Sequence, residues 1–292
     1  MLVDVIVPTY KRGSILREAL ESVKKQTYTQ WTCWIAEDGA SQKTYDTVKD
    51  FLTDDRFRYI PGKHLGAPAG PRNRGMRNGS GKYVAFLDDD DIWLPEKLEW
   101  QVRFFEKHSE SVLVGTNGYR WNPNKKFDKK STPQYFSKSK YWGKPIPYSA
   151  MFEINHFIAS SVMLRREVLR ESGIFNEELK LKSAEDYELW LRIGVLGEVW
   201  NLKEPLLVYR LTPPTFYNQL NKEDDYKFKA YVLSLALNGT PERPSPLQLP
   251  EKSQYAKYCR DEMEFCQKGP RFLGRIRHKL EKAIKRVIPV AG

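Results

Sequence analysis

The first 115 residues alternate short apolar runs with longer amphipathic stretches. The apolar runs are rich in β-branched and aromatic residues, which is typical of buried strands. The stretches between them place apolar residues at helical spacing, as at Leu16, Leu20 and Val23. This alternation predicts an α/β fold, with a parallel sheet covered by helices on both faces. The predicted strands cover 3–8, 31–36, 57–60, 81–87 and 112–115, and the predicted helices 14–23, 45–52, 72–77 and 95–108.

The pattern breaks after residue 116. Residues 117–156 are rich in aromatic, lysine, proline and serine residues and sustain no period. Long irregular segments in a compact domain are usually functional, and exposed aromatic rings can stack on sugars. A locally packed insertion explains the same composition equally well. Beyond it the sequence predicts a strand at 158–164, helices at 165–172 and 184–195, and a closing strand at 206–210.

Four consecutive aspartates, Asp88 to Asp91, follow the fourth predicted strand. Like charges this close destabilise one another unless a cation lies among them, and Mg²⁺ or Mn²⁺ prefers oxygen ligands. Because side chains alternate along an extended chain, Asp88 and Asp90 face one side and Asp89 the other. The spacing therefore predicts a metal site with two carboxylates. The alternative is a solvated acidic loop that caps the next helix.

Tyr10, Asp38 and the aspartate run each lie just past the end of a different predicted strand. The carboxyl ends of parallel strands meet at one edge of a sheet, and ligands bind there. We therefore expect these positions to share one binding site. A further acidic pair, Glu185 and Asp186, opens a later predicted helix, where the helix dipole alone also favours acids.

The net charge of +11 predicts anionic partners. Much of it lies near the carboxyl end, where residues 268–286 hold eight basic residues against Glu281, a net of +7. An apolar stripe runs through the same stretch, so 268–288 is predicted to form an amphipathic helix on an anionic membrane surface. A helix packed on the main domain fits the pattern equally well. No nucleic-acid-binding motif occurs, so no nucleic-acid partner is expected.

The three cysteines form no disulfide or metal-ligand pattern, which favours a reduced protein. The first residues carry an acid inside an apolar run, which predicts a strand rather than a signal peptide. No stretch approaches the roughly 20 continuous apolar residues of a membrane span. We therefore expect a cytoplasmic protein, peripheral on the inner face of the membrane if the basic tail binds lipid.

Six short motifs together resemble those of the inverting GT-A glycosyltransferases of family 2. The resemblance implies a Rossmann-like nucleotide-binding sheet with helices on both faces. It divides the chain into a GT-A domain over 1–215 and a helical, basic extension over 216–292, with helices at 223–237 and 252–267. Within the domain, 1–115 would bind the nucleotide-sugar and 116–215 the acceptor. The motifs are VIVPTYKR at 5–12, EDGAS at 37–41, AGPRNRG at 69–75, FLDDDDIWLP at 86–95, SSVMLRR at 160–166 and AEDYELWLR at 184–192.

The resemblance also implies roles for individual residues. Asp186 would be the general base that takes the proton of the acceptor hydroxyl. Asp90, with Asp88, would bind Mn²⁺ or Mg²⁺ and so neutralise the departing nucleoside diphosphate. Asp38 would accept the ring N–H of uracil, and Arg72 would approach the base and the diphosphate. The implied donor-binding residues are Pro8, Thr9, Tyr10, Arg12, Asp38, Arg72, Asp88 and Asp89, and those on the acceptor side are Glu185, Ser160 and Trp190.

The implied function is inverting transfer of a single sugar from a nucleotide-sugar, UDP-linked by the resemblance, to a hydroxyl group. The acceptor would be a glycan or a lipid-linked glycan in the synthesis of cell-surface polysaccharide or glycoconjugate. Polymerising relatives carry a Gln-x-x-Arg-Trp motif, which this sequence lacks. Two positions depart from the family pattern, because Thr212 stands where many relatives have histidine and Pro71 where they have a small residue.

Two other functions fit parts of the sequence. A sugar-nucleotide nucleotidyltransferase would use a similar sheet and metal, but it would need a glycine-rich basic loop directly after the first strand. A non-catalytic membrane- or carbohydrate-binding protein of the same fold would not need Asp38, Asp88, Asp90 and Asp186 together.

Overall fold

The computed structural model describes residues 1–134, 140–151, 154–181, 184–211 and residue 232. In this part of the chain eight strands form one sheet, in the order β3-β2-β1-β4-β7-β6-β8-β5. The strands are β1 (Val3–Thr9), β2 (Trp31–Glu37), β3 (Phe57–Ile60), β4 (Tyr83–Phe86), β5 (Ile92–Trp93), β6 (Ser111–Trp121), β7 (Met163–Arg165) and β8 (Glu198–Arg210). The helices are α1 (Ser14–Lys24), α2 (Gln42–Val48), α3 (Ala69–Asn78), α4 (Lys97–Lys107), α5 (Tyr148–Met151), α6 (Leu169–Ser172) and α7 (Glu185–Ile193).

The first four strands pair in parallel as the alternating pattern predicts. β1 lies between β2 and β4, and β3 extends the sheet beyond β2. The parallel pairing predicted from the first 115 residues does not extend to the whole sheet, because β7 runs antiparallel to both β4 and β6, and β5 runs antiparallel to β8. β7 follows a connection that starts at the carboxyl end of β6, so it enters the sheet from that edge and needs no helical crossover.

The long pairing of β6 with β8 also differs from the prediction. β6 extends to Trp121, into the stretch predicted to be irregular from 117, and β8 begins at Glu198 rather than at 206. Most side chains of β6 are buried on both faces of the sheet, so its sequence carries no period of two. Conversely, part of the predicted strand at 158–164 forms a 3₁₀ turn, Ala159–Ser161.

Two hydrophobic cores cover the two faces of the sheet. Alternate residues of β1 point to opposite faces, so Ile6 lies in one core and Val5 in the other. α3 and α7 cover the first face, while α1, α2 and α4 cover the second. The predicted arrangement of helices on both faces is therefore confirmed.

Close packing of α3 on β1 depends on a glycine. A Cβ at Gly75 would lie 2.8 Å from Cγ2 of Ile6, nearer than such atoms approach. The missing side chain lets α3 lie close against the sheet. Arg72, one turn earlier on α3, thereby comes near the carboxyl ends of β1 and β4.

Most of the predicted extension over 216–292, including its helices at 223–237 and 252–267 and the basic stretch 268–288, lies outside the described residues. Val232 is described, and it is buried in the core that α3 and α7 cover. This position of the extension therefore packs on the main domain. Among the described helices, none has the length and apolar character needed to cross a membrane.

Two arginine–glutamate pairs with the same helical spacing test how burial changes the value of an ion pair. Arg192 on α7 pairs with Glu188 at 2.7 Å, and both side chains are fully buried. We expect Arg192→Met to lower the free energy of unfolding by about 3–5 kcal/mol, because Glu188 loses its buried ion pair. Denaturant titration measures this loss.

The control is Arg103→Ala on α4, which removes an exposed pair with Glu99 at 2.6 Å. It should cost less than about 1 kcal/mol, because water screens exposed pairs. Equal losses in the two variants would contradict a structural role for the buried pair.

Candidate active site

A cavity of about 730 Å³ opens at the carboxyl edge of β1, β2 and β4. The predicted donor-binding residues all line it, so the structure brings Tyr10, Asp38 and Asp88 to Asp90 together, while Asp91 is not part of the lining. Sequence reasoning missed a further part of the wall, which comes from the loop between β3 and α3. The lining residues are Pro8, Thr9, Tyr10, Lys11, Arg12, Asp38, His64, Gly66, Ala67, Pro68, Pro71, Arg72, Asp88, Asp89 and Asp90.

Asp38 presents a carboxylate held by backbone amides. The N–H of Leu65 donates to its Oδ1 at 2.6 Å, and the N–H of Gly66 donates to its Oδ2 at 2.8 Å. Gly66 has a φ of +82°, a left-handed conformation that glycine adopts without strain. Asp38 is 5% exposed, whereas Tyr10 beside it is 42% exposed. The cavity therefore has a fixed hydrogen-bond acceptor next to an accessible aromatic ring.

The three aspartates that line the cavity contact arginines. Oδ1 of Asp88 lies 2.6 Å from Nη2 of Arg72. Oδ1 of Asp89 and Oδ2 of Asp90 lie 3.3 and 3.6 Å from the Arg12 guanidinium. Burial raises the pKa of Asp89 to about 6, and burial together with the charge of Asp88 raises the pKa of Asp90. The two arginines thus compensate the acidic charge only in part.

The fourth aspartate has a different environment. Asp91 is 1% exposed, and its Oδ1 accepts the backbone N–H of Arg210 at 3.0 Å. Nε of Arg210 in turn donates to the carbonyl oxygen of Asp90 at 2.8 Å. Burial raises the pKa of Asp91 well above its usual range. The hydrogen bonds of Asp91 and Asp90 with Arg210 therefore hold the acidic loop against the end of β8.

Asp88 and Asp90 offer two carboxylates to the cavity, with side chains 30% and 21% exposed. In the described ranges, no group of three or more His, Cys, Asp or Glu side chains is placed to hold a metal ion. Mg²⁺ commonly binds through one or two carboxylates, with substrate phosphates and water completing its shell. Two partly exposed carboxylates beside an open cavity fit a divalent cation of this kind.

Arg72 joins the two halves of the site. It is 3% exposed, and its two terminal nitrogens contact Asp88 at 2.6 Å and Glu185 at 2.7 Å. The sequence led us to expect Arg72 at the base and diphosphate, but both of these nitrogens contact protein carboxylates. Glu185 is itself 4% exposed, so the structure places it under the site, as the partner of Arg72, and not on an acceptor-facing surface.

Asp186 lies in the first turn of α7, directly after Glu185. Its Oδ1 accepts its neighbour's N–H, that of Tyr187, at 2.7 Å, and its Oδ2 accepts Nδ2 of Asn155 at 3.3 Å. Burial raises the pKa of Asp186 to about 7, and the charge of Glu185 adds to the shift, while Arg72 opposes it. Asp186 is not among the residues that line the cavity, so Arg72 and Glu185 connect it to the donor side.

Two further residues expected on the acceptor side are buried. Ser160 is fully buried, and its Oγ accepts the backbone N–H of Asp88 at 3.0 Å. Trp190 is also fully buried and packs against Phe86 and Phe175, with ring centroids 5.8 and 6.0 Å apart. Their acceptor-side role stays a prediction, although neither side chain is exposed to solvent in this structure. Ser160 supports the acidic loop, and Trp190 belongs to the core.

Sequence reasoning did not identify three residues that complete the site. His64 lines the cavity, Asn155 contacts Asp186, and Arg210 holds the acidic loop. His64 and Asn155 lie in irregular segments where no periodic pattern marks a side chain. Arg210 ends the predicted closing strand, but its contact with Asp90 joins residues 120 positions apart.

Comparison with known proteins places the chain among glycosyltransferases. The model of the family described as "Glycosyl transferase family 2" matches residues 4–173, more than half of the chain. Two similar proteins are the Escherichia coli UDP-Glc:alpha-D-GlcNAc-diphosphoundecaprenol beta-1,3-glucosyltransferases WfgD and WfaP. WfgD is 31% identical over 66% of this chain and 69% of its own length, and WfaP is 29% identical over 66% and 70%.

The structure of residues 1–349 of S. aureus TarS in complex with UDP-GlcNAc is similar in fold. Its TM-score is 0.63 and its identity 19%, over 84% of this chain and 68% of that one. This likeness confirms the predicted GT-A fold. Together, the family match, the similarity to WfgD and the fold show that this chain belongs to glycosyl transferase family 2.

Proposed function

We propose that the chain is a metal-dependent, inverting glycosyltransferase that moves one sugar from a UDP-sugar to a hydroxyl of a lipid-linked glycan. The observation that carries the proposal is that Asp38, Asp88 and Asp90 line one cavity, while Asp186 directly follows Glu185, the buried partner of Arg72. WfgD and WfaP, whose names give UDP-Glc as donor and a diphosphoundecaprenol-linked GlcNAc as acceptor, support this class of substrates.

The donor binds in this proposal along the carboxyl edge of the sheet. Asp38 accepts the N–H of the nucleobase, because its carboxylate is fixed beside the accessible ring of Tyr10. The diphosphate lies towards Arg12 and the acidic loop. Arg72 positions Asp88 instead of contacting the base, since both of its terminal nitrogens contact carboxylates.

Asp90 and Asp88 hold Mn²⁺ or Mg²⁺ in this proposal. When bound, the ion neutralises the charge that develops on the departing nucleoside diphosphate. Arg12 contacts Asp90 at 3.6 Å, so this carboxylate lies beside a positive charge. Arg210 and Ser160 keep the loop in place through its backbone.

Asp186 acts as the general base. The acceptor oxygen attacks the anomeric carbon while its proton passes to the Asp186 carboxylate, and the bond to the diphosphate oxygen breaks. One displacement at the anomeric carbon inverts its configuration, so no enzyme nucleophile is needed. Asn155 and the N–H of Tyr187 orient the carboxylate. Asp186 lies in the first turn of α7, so it could instead serve only as a partner of the helix dipole. Measuring the rate of sugar transfer separates the two roles.

In this proposal, residues 1–115 bind the donor and residues 116–215 bind the acceptor. The residues assigned to the donor all precede residue 116, while Asp186 and Asn155 follow it. Membrane contact through 268–288 stays a prediction, since that stretch lies outside the described residues.

Replacement of the proposed base tests its role. Asp186→Asn should lower the rate of sugar transfer about 10²–10⁴-fold, because the amide cannot take a proton from the acceptor. UDP affinity, measured by calorimetry, should stay unchanged. The assay uses UDP-glucose and a lipid-diphosphate-linked GlcNAc acceptor.

The control for Asp186→Asn is Glu171→Gln on α6, which removes an exposed carboxylate away from the cavity. It should transfer sugar at the wild-type rate. Full activity in Asp186→Asn would show that Asp186 is only a helix-dipole partner.

The pH dependence of transfer provides a second test of Asp186. The base works only when ionised, and its raised pKa of about 7 moves its protonation from the acidic into the neutral range. We expect kcat/KM to fall tenfold per pH unit below about pH 7. A profile that stays flat down to pH 5 would argue against Asp186 as the base. The wild-type enzyme's melting temperature, followed over the same range, separates this loss from unfolding.

Removal of a proposed metal ligand should uncouple nucleotide binding from the cation. In the wild type, Mn²⁺ should tighten UDP binding, because an ion held by Asp88 and Asp90 would add positive charge for the diphosphate. Asp90→Asn should lose this gain while still binding UDP weakly without metal. Asp46→Asn, an exposed aspartate on α2, should keep the full gain. A gain that survives in Asp90→Asn would rule out Asp90 as a ligand.

A further inference from the structure

His64 contacts Asp38, the carboxylate that the proposed function assigns to nucleobase binding. Its Nδ1 lies 2.9 Å from Oδ2 of Asp38 and 3.1 Å from the carbonyl oxygen of Asp38. When the carboxylate is ionised, both oxygens are hydrogen-bond acceptors and neither is a donor. Nδ1 therefore carries the proton that faces them. His64 is half-exposed at the mouth of the cavity, so it is in place to meet a ligand.

Tyr10 holds the imidazole in this position. The two rings stack with centroids 4.4 Å apart and an interplanar angle of 13°. The stack and the contact with Asp38 together fix both the plane and the direction of the His64 ring. His64 is therefore held in a defined orientation in the cavity wall.

The contacts of Asp38 leave little acceptor capacity. An ionised carboxylate has about four lone-pair sites, two on each oxygen. Leu65 uses one site on Oδ1, and Gly66 uses one on Oδ2. The Nδ1 of His64 covers the remaining approach to Oδ2. Among the contacts of the described residues, only Oδ1 keeps a site for a ligand.

Nucleobases differ in how many donors they present side by side. Uracil offers a single ring N–H between two carbonyl groups, so one acceptor site is enough for it. Guanine offers a ring N–H next to an exocyclic amino group, and this pair of donors matches a carboxylate with both oxygens open. A buried donor left without a partner lowers affinity, so a carboxylate with one open oxygen disfavours guanine.

We propose that His64 sets the nucleobase preference of this site by capping Oδ2 of Asp38, so that uracil is accepted and guanine is rejected. The inference rests on the proposed function, in which Asp38 receives the nucleobase. His64 acts through Asp38 and the space beside it, and it takes no part in the transfer step. It is therefore a specificity-determining residue.

The test compares the affinities of UDP and GDP by calorimetry with Mn²⁺ present. His64→Ala removes the cap and the stack, while His64→Phe keeps a ring to stack on Tyr10 but lacks Nδ1. Both variants should lower the ratio of the GDP to the UDP dissociation constant by about tenfold, because Oδ2 becomes available to the second donor of guanine. Lys63→Ala, an exposed neighbour outside the cavity lining, should keep the wild-type ratio.

The outcomes separate this inference from the proposed function. If the wild type prefers UDP and neither His64 variant changes the ratio, the inference fails and the proposed function stands. If only His64→Ala changes the ratio, the ring stack and not the cap sets the preference, which also overturns the inference. If the wild type binds neither nucleotide, both fail. Melting temperatures of the variants near the wild-type value confirm that folding is intact.

Discussion

The ion pairs of Arg72 hold two distant segments of the candidate active site together. Its guanidinium contacts Asp88 after β4 and Glu185 at the start of α7, and these acids lie 16 and 113 residues away along the chain. Arginine stays protonated in proteins, and a buried charge without a partner costs several kcal/mol. α7 is therefore stabilised where Glu185 meets Arg72. Asp186, the next residue, is thereby placed relative to the donor cavity.

The same electrostatic rule shapes the acidic loop. Arg12 faces Asp89 and Asp90 from the cavity side, and Arg210 holds the backbone from β8. Burial raises the pKa of Asp89 and Asp90, and repulsion between neighbouring aspartates adds to the shift. The arginines offset only part of these effects. A site of this kind gains stability from a further cation. The repulsion within the loop is therefore the feature on which the proposed metal site rests.

Much of the structure of residues 1–115 follows from local sequence. The alternation of apolar runs and helical stretches reports which residues are buried, so β1, β2 and β3 and the helices α1 and α4 lie within a few residues of their predicted bounds. Parallel pairing of neighbouring strands then brings Tyr10, Asp38 and Asp88 to one edge. The resemblance of the motifs to those of family 2 supplied the chemistry of these positions.

The segment after residue 115 was harder to predict, because the environment of its side chains depends on partners far along the chain. β6 reaches Trp121 without a visible period since both of its faces are covered. Ser160, Glu185 and Trp190 occur in the right motifs, but packing turns them towards the acidic loop, Arg72 and the core. By itself, the sequence determined most elements of residues 1–115, the fold family and the cluster of acids, because these depend on local burial patterns and motif order. Only the tertiary structure decided which acid faces the cavity, which supports it and that His64 covers Asp38, because those contacts depend on how distant segments pack.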